Sequence, residues 1–118
     1  KENHYNGNLY VLTGGATFSS STVLCTALKG QSDVTLIGEE TGGGWYGHSS
    51  LIIPAITLPN SKLKVRLPLF RIVQNSKLPN NGSGVLPDYL TEPDYLSILN
   101  NTDKAISTAI ELIKKKQL

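Results

Sequence analysis

The sequence predicts an α/β domain, with a βαβ core, additional mostly antiparallel strands and C-terminal helices. Three observations carry this reading. Leu9 to Leu12 is a continuous apolar run between Gly7 and the Gly14–Gly15 pair, as in a strand buried on both faces of a parallel sheet. Val23, Leu24, Ala27 and Leu28 share one face of a helix, and Gly30 stands where a helix would end. Val34 to Gly38, VTLIG, is a second buried-type run. A strand, a helix and a strand joined by short links make a crossover unit, which is right-handed in nearly all proteins.

The later elements follow in order. Gly38 to Gly44, GEETGGG, has too many glycines to hold regular structure cheaply and is expected to be a loop. Leu51 to Leu58 and Leu63 to Val73 read as strands of an antiparallel pair, with LPNSKL supplying the turn. Pro54, Pro59 and Pro68 belong at strand ends or edges. Leu78 to Asp88 is a loop rich in Gly, Asn and Pro. Pro93 opens a short helix through Leu99. Asn101 or Thr102 caps a last helix, whose apolar stripe is Ala105, Ile106, Ala109, Ile110, Leu112 and Ile113 and whose C-terminal end carries Lys114 to Lys116.

Composition bounds the function. With 118 residues, 39% of them hydrophobic and 17% charged, the chain makes one globular domain with a modest core. A net charge of +2, with basic residues scattered except at the end, gives no stripe to follow a phosphate backbone, so no nucleic-acid partner is expected. No apolar run approaches the ~20 residues that cross a bilayer. The single cysteine, Cys25, excludes an internal disulfide and a cysteine-based zinc site, and it belongs to the core. No metal or cofactor is expected. The chain starts at Lys1 without a methionine or a signal-like segment, as a processed product or a piece of a longer protein does.

The chemistry concentrates in GGATFSSSTVLC, Gly14 to Cys25. Ser19, Ser20 and Ser21 lie between a strand and a helix. A serine there is an ordinary N-cap. It is also well placed as a nucleophile, because the helix N-terminus favours a nearby anion and the next backbone N–H can point at a developing oxyanion. The residues alone leave open which serine, and which role.

Three ordered segments narrow the choice. The stretch YVLTGGATFSSSTVLCTALKGQSDVTLIGEETGGG, followed by GVLPD at Gly84 to Asp88, resembles the S41 peptidases, the C-terminal processing or tail-specific proteases. The resemblance runs from about Gly7 to Tyr89. It implies a ClpP/crotonase-like fold and a serine endopeptidase that cleaves polypeptides by acyl transfer. On that resemblance the nucleophile falls on Ser19, and Ser20 lends its N–H to the oxyanion. Gly42, Gly43, Gly44 and Asn81 would shape the cleft. Residues 1–118 would form the C-terminal part of the catalytic domain. An extracytoplasmic setting also follows from the resemblance, while the residues themselves name no compartment.

Two positions depart from the family pattern. Gly44 stands where many S41 enzymes carry a lysine that pairs with the serine. The sequence therefore looks more like the tricorn-like branch, whose arrangement resembles Ser-His-Ser-Glu with the histidine well upstream. Asn81 stands where that branch has a glutamate, and an amide orients a partner without charging it. His4 and His48 are the two histidines, each expected to sit at the surface or to be satisfied locally, so the general base is expected outside these residues. Glu39 either braces the glycine loop or is solvated, Glu40 is expected to be solvated, and Asp88 to brace the turn after Pro87. Trp45 and Tyr46 either line a groove or cover the core. A non-catalytic relative that binds a peptide or an apolar ligand is the alternative. A dimerising piece, pairing through an edge strand into a homo-oligomer, is a third reading.

Overall fold

A computed structural model describes residues 5–49, 51–74, 77–78 and 80–116. His4 lies outside them. The chain runs β1 (Leu9–Thr13), α1 (Ser20–Leu28), β2 (Val34–Gly38), β3 (Gly47–His48), β4 (Ala55–Thr57), β5 (Lys64–Arg66), β6 (Ile72–Val73), β7 (Tyr89–Leu90), α2 (Tyr95–Leu99) and α3 (Lys104–Lys116).

The expected βαβ unit is present. β1 and β2 pair in parallel from Leu9–Val34 to Thr13–Gly38, and α1 joins them. Gly30 has φ 86°, the left-handed geometry that a helix-ending glycine supplies at no steric cost. Residues alternate faces along a strand, and the two faces have different partners. Val11, Val34 and Leu36 meet Cys25 and Leu28 of α1, with Val85 and Trp45 closing the same cluster. Tyr10 and Thr35 face the other way, beside Leu112 and Lys115 of α3. Leu36 and Ile37 are fully buried, so β2 is covered on both sides. β1 departs from expectation: Leu9 and Leu12 are 40% and 46% exposed. It lies at the edge of the three-stranded sheet β1-β2-β7, where β2 is its one strand neighbour among the described residues.

The antiparallel part is present but divided. β4 pairs with β5, Ala55 opposite Arg66, and the ribbon continues through Leu67 N–H to Pro54 O and Leu69 N–H to Ile52 O. The run Leu63 to Val73 does not stay with that ribbon: beyond Leu69 its far end turns to pair with β3 instead, His48 opposite Ile72. Pro54 and Pro68 sit outside the strands, where their missing amide costs no ladder bond. β7, unforeseen in the sequence, adds in parallel to β2.

The helix caps are shifted. Asp94, not Pro93, defines the start of α2: its Oδ1 accepts Ser97 N–H at 2.8 Å while Ser97 Oγ accepts Asp94 N–H at 2.9 Å, a reciprocal capping box. At α3 the cap is Asp103 rather than Asn101 or Thr102, its Oδ1 accepting from Ala105 N at 2.8 Å and Ile106 N at 3.1 Å. Of the predicted stripe only Ala109 is buried, while Ile106, Ile110 and Ile113 stay 38–46% exposed. No helix among the described residues is long and apolar enough to cross a membrane.

Asp88 ties these layers together. Its Oδ2 accepts Leu36 N–H in β2 at 2.8 Å, and its Oδ1 pairs with Lys29 Nζ at the end of α1. The sequence placed this carboxylate at the turn after Pro87; it reaches further, to a strand and a helix. Partial desolvation pushes its pKa up, but the Lys29 bond and the Leu36 amide outweigh that and leave it below the usual aspartate value. A depressed carboxyl contributes stability above its unfolded pKa and loses it as pH falls through the folded value. Asp88→Ala is therefore expected to cost about 1–2 kcal/mol at neutral pH, the lower part of the charged hydrogen-bond range because Lys29 is part-exposed. Urea unfolding of both proteins should show that gap closing as pH drops below about 4.

Candidate functional site

The turn between β1 and α1 is built by short-range hydrogen bonds. Thr17 N–H donates to Gly14 O at 2.8 Å, and Gly14 N–H donates to Thr17 Oγ1 at 3.1 Å. Ser21 N–H and Val23 N–H donate to Phe18 O and Ser19 O at 3.1 and 3.0 Å, which starts the helix. Ser19 lies between these two sets with φ 51° and ψ −122°. For a non-glycine residue this is a sparsely populated conformation, costing about 1–3 kcal/mol and kept only where the surroundings impose it. The sharp strand-to-helix turn that exposes the serine of α/β-hydrolases uses the same device.

The Ser19 side chain is exposed and makes no capping hydrogen bond to α1. Capping, the ordinary role for a serine here, is not what it does. Ser20 is the first residue of α1, so its N–H has no acceptor within the helix. Backbone N–H and neighbouring hydroxyl thus stand together at the positive end of the helix.

The glycine loop closes over this turn. Gly43 N–H donates to Thr17 O at 2.9 Å. A Cβ added at Gly43 would lie 2.1 Å from Thr22 Oγ1, and one at Gly42 would lie 2.1 Å from Gly15 O. Only glycine allows the loop backbone this close. The loop is held in turn by Thr41, whose Oγ1 donates to Gly43 O at 2.9 Å and accepts Val85 N–H at 2.8 Å. Glu40 is not simply solvated: its Oε1 accepts Gly84 N–H at 2.5 Å. Glu39 contributes through its backbone, giving N–H to Thr13 O and accepting Thr13 Oγ1 at 2.8 Å.

In front of Ser19 lies a hollow of about 360 Å³. Phe18, Gly42, Gly43 and Gly44 form one side, and His48, Ile53 and Pro68 the other. Its walls are mainly apolar, and His48 is the one ionisable side chain among the described residues lining it. Asn81 is not part of this hollow; its Oδ1 accepts Ser83 N–H at 3.2 Å and shapes its own turn. Trp45 packs on the core cluster, and Tyr46 lies 5.0 Å under the Arg71 guanidinium, so neither lines the hollow. Cys25 is buried, and that burial pushes its thiol up, away from reactivity. A larger hollow, about 560 Å³, opens at the ends of β1 and β2 beside Ser97 and Lys104. Ser19 does not reach it, and Ser97 and Lys104 are both engaged with Asp94.

The chain and its fold have counterparts among known proteins. The family model of peptidase family S41 matches residues 1–91. The chain belongs to peptidase family S41. A crystal structure from Parabacteroides merdae ATCC 43184, described as a "putative peptidase", matches the S41 chain with a TM-score of 0.65 and 26% sequence identity. That match covers 92% of this chain and 32% of the other, so the S41 chain spans about a third of the length of that solved structure. No curated protein matches it. The α/β architecture with C-terminal helices is thus a peptidase fold.

Proposed function

We propose that this S41 chain carries the nucleophile of a serine endopeptidase of the tricorn-like branch, and that residues 1–118 are the C-terminal part of a ClpP/crotonase-like catalytic domain. The observation that supports this most is Ser19 itself: an exposed hydroxyl at positive φ, uninvolved in capping, facing a hollow at a helix N-terminus. Ser19 Oγ attacks the scissile carbonyl carbon and gives its proton to a base. The tetrahedral oxyanion accepts from the Ser20 amide. The C–N bond breaks, the amine leaves with a proton, and water then hydrolyses the acyl-serine. The substrate is a polypeptide. A fluorophosphonate tests the assignment: in the full chain it should label Ser19, identified by peptide mass spectrometry. A folded, unlabelled protein would move the reading to a binding relative that takes a peptide or an apolar ligand.

The base is proposed to come from polypeptide outside these residues, since Gly44 supplies no lysine. His48 offers a second reading, because it lines the same hollow as Ser19. His48→Ala in the full chain separates the two. With an external base, labelling slows modestly and the acid limb of the pH–rate profile survives. A slowing of about 10²–10⁴-fold together with loss of that limb assigns the base to His48.

A further inference from the structure

The conformation of Ser19 needs a cause, and the residues around it supply one. Thr17 and Thr22 flank Ser19 on either side of the turn. Thr22 is 2% exposed, and its Oγ1 donates to Thr17 O at 3.0 Å. A hydroxyl in a helix usually bonds back one turn, to the carbonyl four residues earlier; Thr26 does this, its Oγ1 donating to Thr22 O at 2.9 Å. Thr22 reaches five residues back instead, across Ser19. The same Thr17 O accepts Gly43 N–H at 2.9 Å. One carbonyl therefore receives a donor from the helix and a donor from the glycine loop. That double anchoring fixes the chain before Ser19 against the chain after it.

We propose that Thr22 is the positioning residue for Ser19: its buried hydroxyl, sharing the Thr17 carbonyl with the Gly43 amide, holds Ser19 in its positive-φ conformation. The bearing on catalysis rests on the reading of Ser19 as nucleophile; the bearing on conformation does not. Thr22 touches no reacting atom. It acts by keeping the Ser19 hydroxyl turned toward the hollow, and a displacement of about 1 Å there can cost 10²-fold in rate.

Thr22→Val keeps the shape and removes the donor, and Thr17 O retains Gly43 N–H, so no carbonyl is orphaned. Wild type, T22V and T22S are compared in the full chain by fluorophosphonate labelling rate, thermal midpoint and crystal structure. T22V is expected to label about 10–100-fold more slowly, with Ser19 relaxed to negative φ. T22S, which keeps the hydroxyl, is expected to restore labelling to within about threefold of wild type by the same positional argument. A merely structural role would lower the thermal midpoint without this split between valine and serine. T22V labelling at the wild-type rate, or T22S as slow as T22V, overturns the proposal. If wild type is itself unlabelled, the nucleophile reading has failed, and the T22V structure decides this one: Ser19 still at positive φ overturns it. Should T22V not fold, Gly43→Ala breaks the same hydrogen bond from the other side, since its added Cβ would lie 2.1 Å from Thr22 Oγ1; Ser19 unmoved in that variant overturns the proposal equally.

Discussion

Ser19→Ala in the full chain is expected to lower peptide hydrolysis by about 10⁴-fold or more, the scale of losing a serine nucleophile. The loss should fall on kcat, because the hydroxyl forms its bond only after substrate is bound. KM should change little, since the walls of the hollow at Phe18, Ile53 and Pro68 stay in place. The start of α1 should hold as well. The Ser19 side chain does not cap α1, so removing it costs no helix hydrogen bond. Alanine also meets the same backbone strain at φ 51° that serine does. Steady-state kinetics with a peptide substrate, alongside thermal unfolding, checks both halves. An alanine variant that hydrolyses at the wild-type rate would remove Ser19 from the mechanism.

Gly84→Ala is expected to destabilise the protein by about 3 kcal/mol or more, at the top of the range for overpacking. The added Cβ would lie 1.8 Å from Thr41 O and 2.8 Å from Thr41 C. Those are backbone atoms, which cannot swing away as the end of a side chain does. Relief would require parting the two segments, and that breaks three bonds at once: Thr41 N–H to Val85 O, Val85 N–H to Thr41 Oγ1, and Gly84 N–H to Glu40 Oε1. The thermal midpoint should fall by about 10 °C or more. Gly14→Ala is the control, because a Cβ there meets nothing within 4 Å. Equal midpoints for the two variants would show that the Thr41–Gly84 contact is not under compression.

Much of this was legible in the sequence, and the reason is periodicity. β1, α1 and β2 each carry enough apolar residues, bounded by glycine, to state their type. The hairpin of β4 and β5 announced itself by LPNSKL. β3 and β7 were not legible: two residues each are too few for a period, and β7 follows a proline-aspartate pair that reads as loop. The caps of α2 and α3 shifted because several residues able to cap stand side by side at Asp94 and at Asn101 to Asp103, and only the backbone path selects one. At the site, the resemblance pointed to Ser19, but nothing in the composition marks a non-glycine residue for positive φ. Glu40 reads as solvated in the sequence because its partner, the amide of Gly84, is far away along the chain and bears no side chain to betray it. Thr22 was silent for a similar cause: its acceptor is a carbonyl.

That preference for main-chain partners has a consequence for how the hollow can diversify. The register of the turn is set largely by carbonyls and amides of Thr17, Gly43 and Gly14, with the Thr17 hydroxyl accepting from Gly14 and the Thr22 hydroxyl donating across the turn. The residues on the far wall of the hollow, such as Ile53 and Pro68, belong to a different part of the chain, the ribbon of β4 and β5 and its flanks. On the proposed reading, taste and chemistry are thereby uncoupled: the ribbon could be rewritten for new sequences while the turn beneath keeps its alignment.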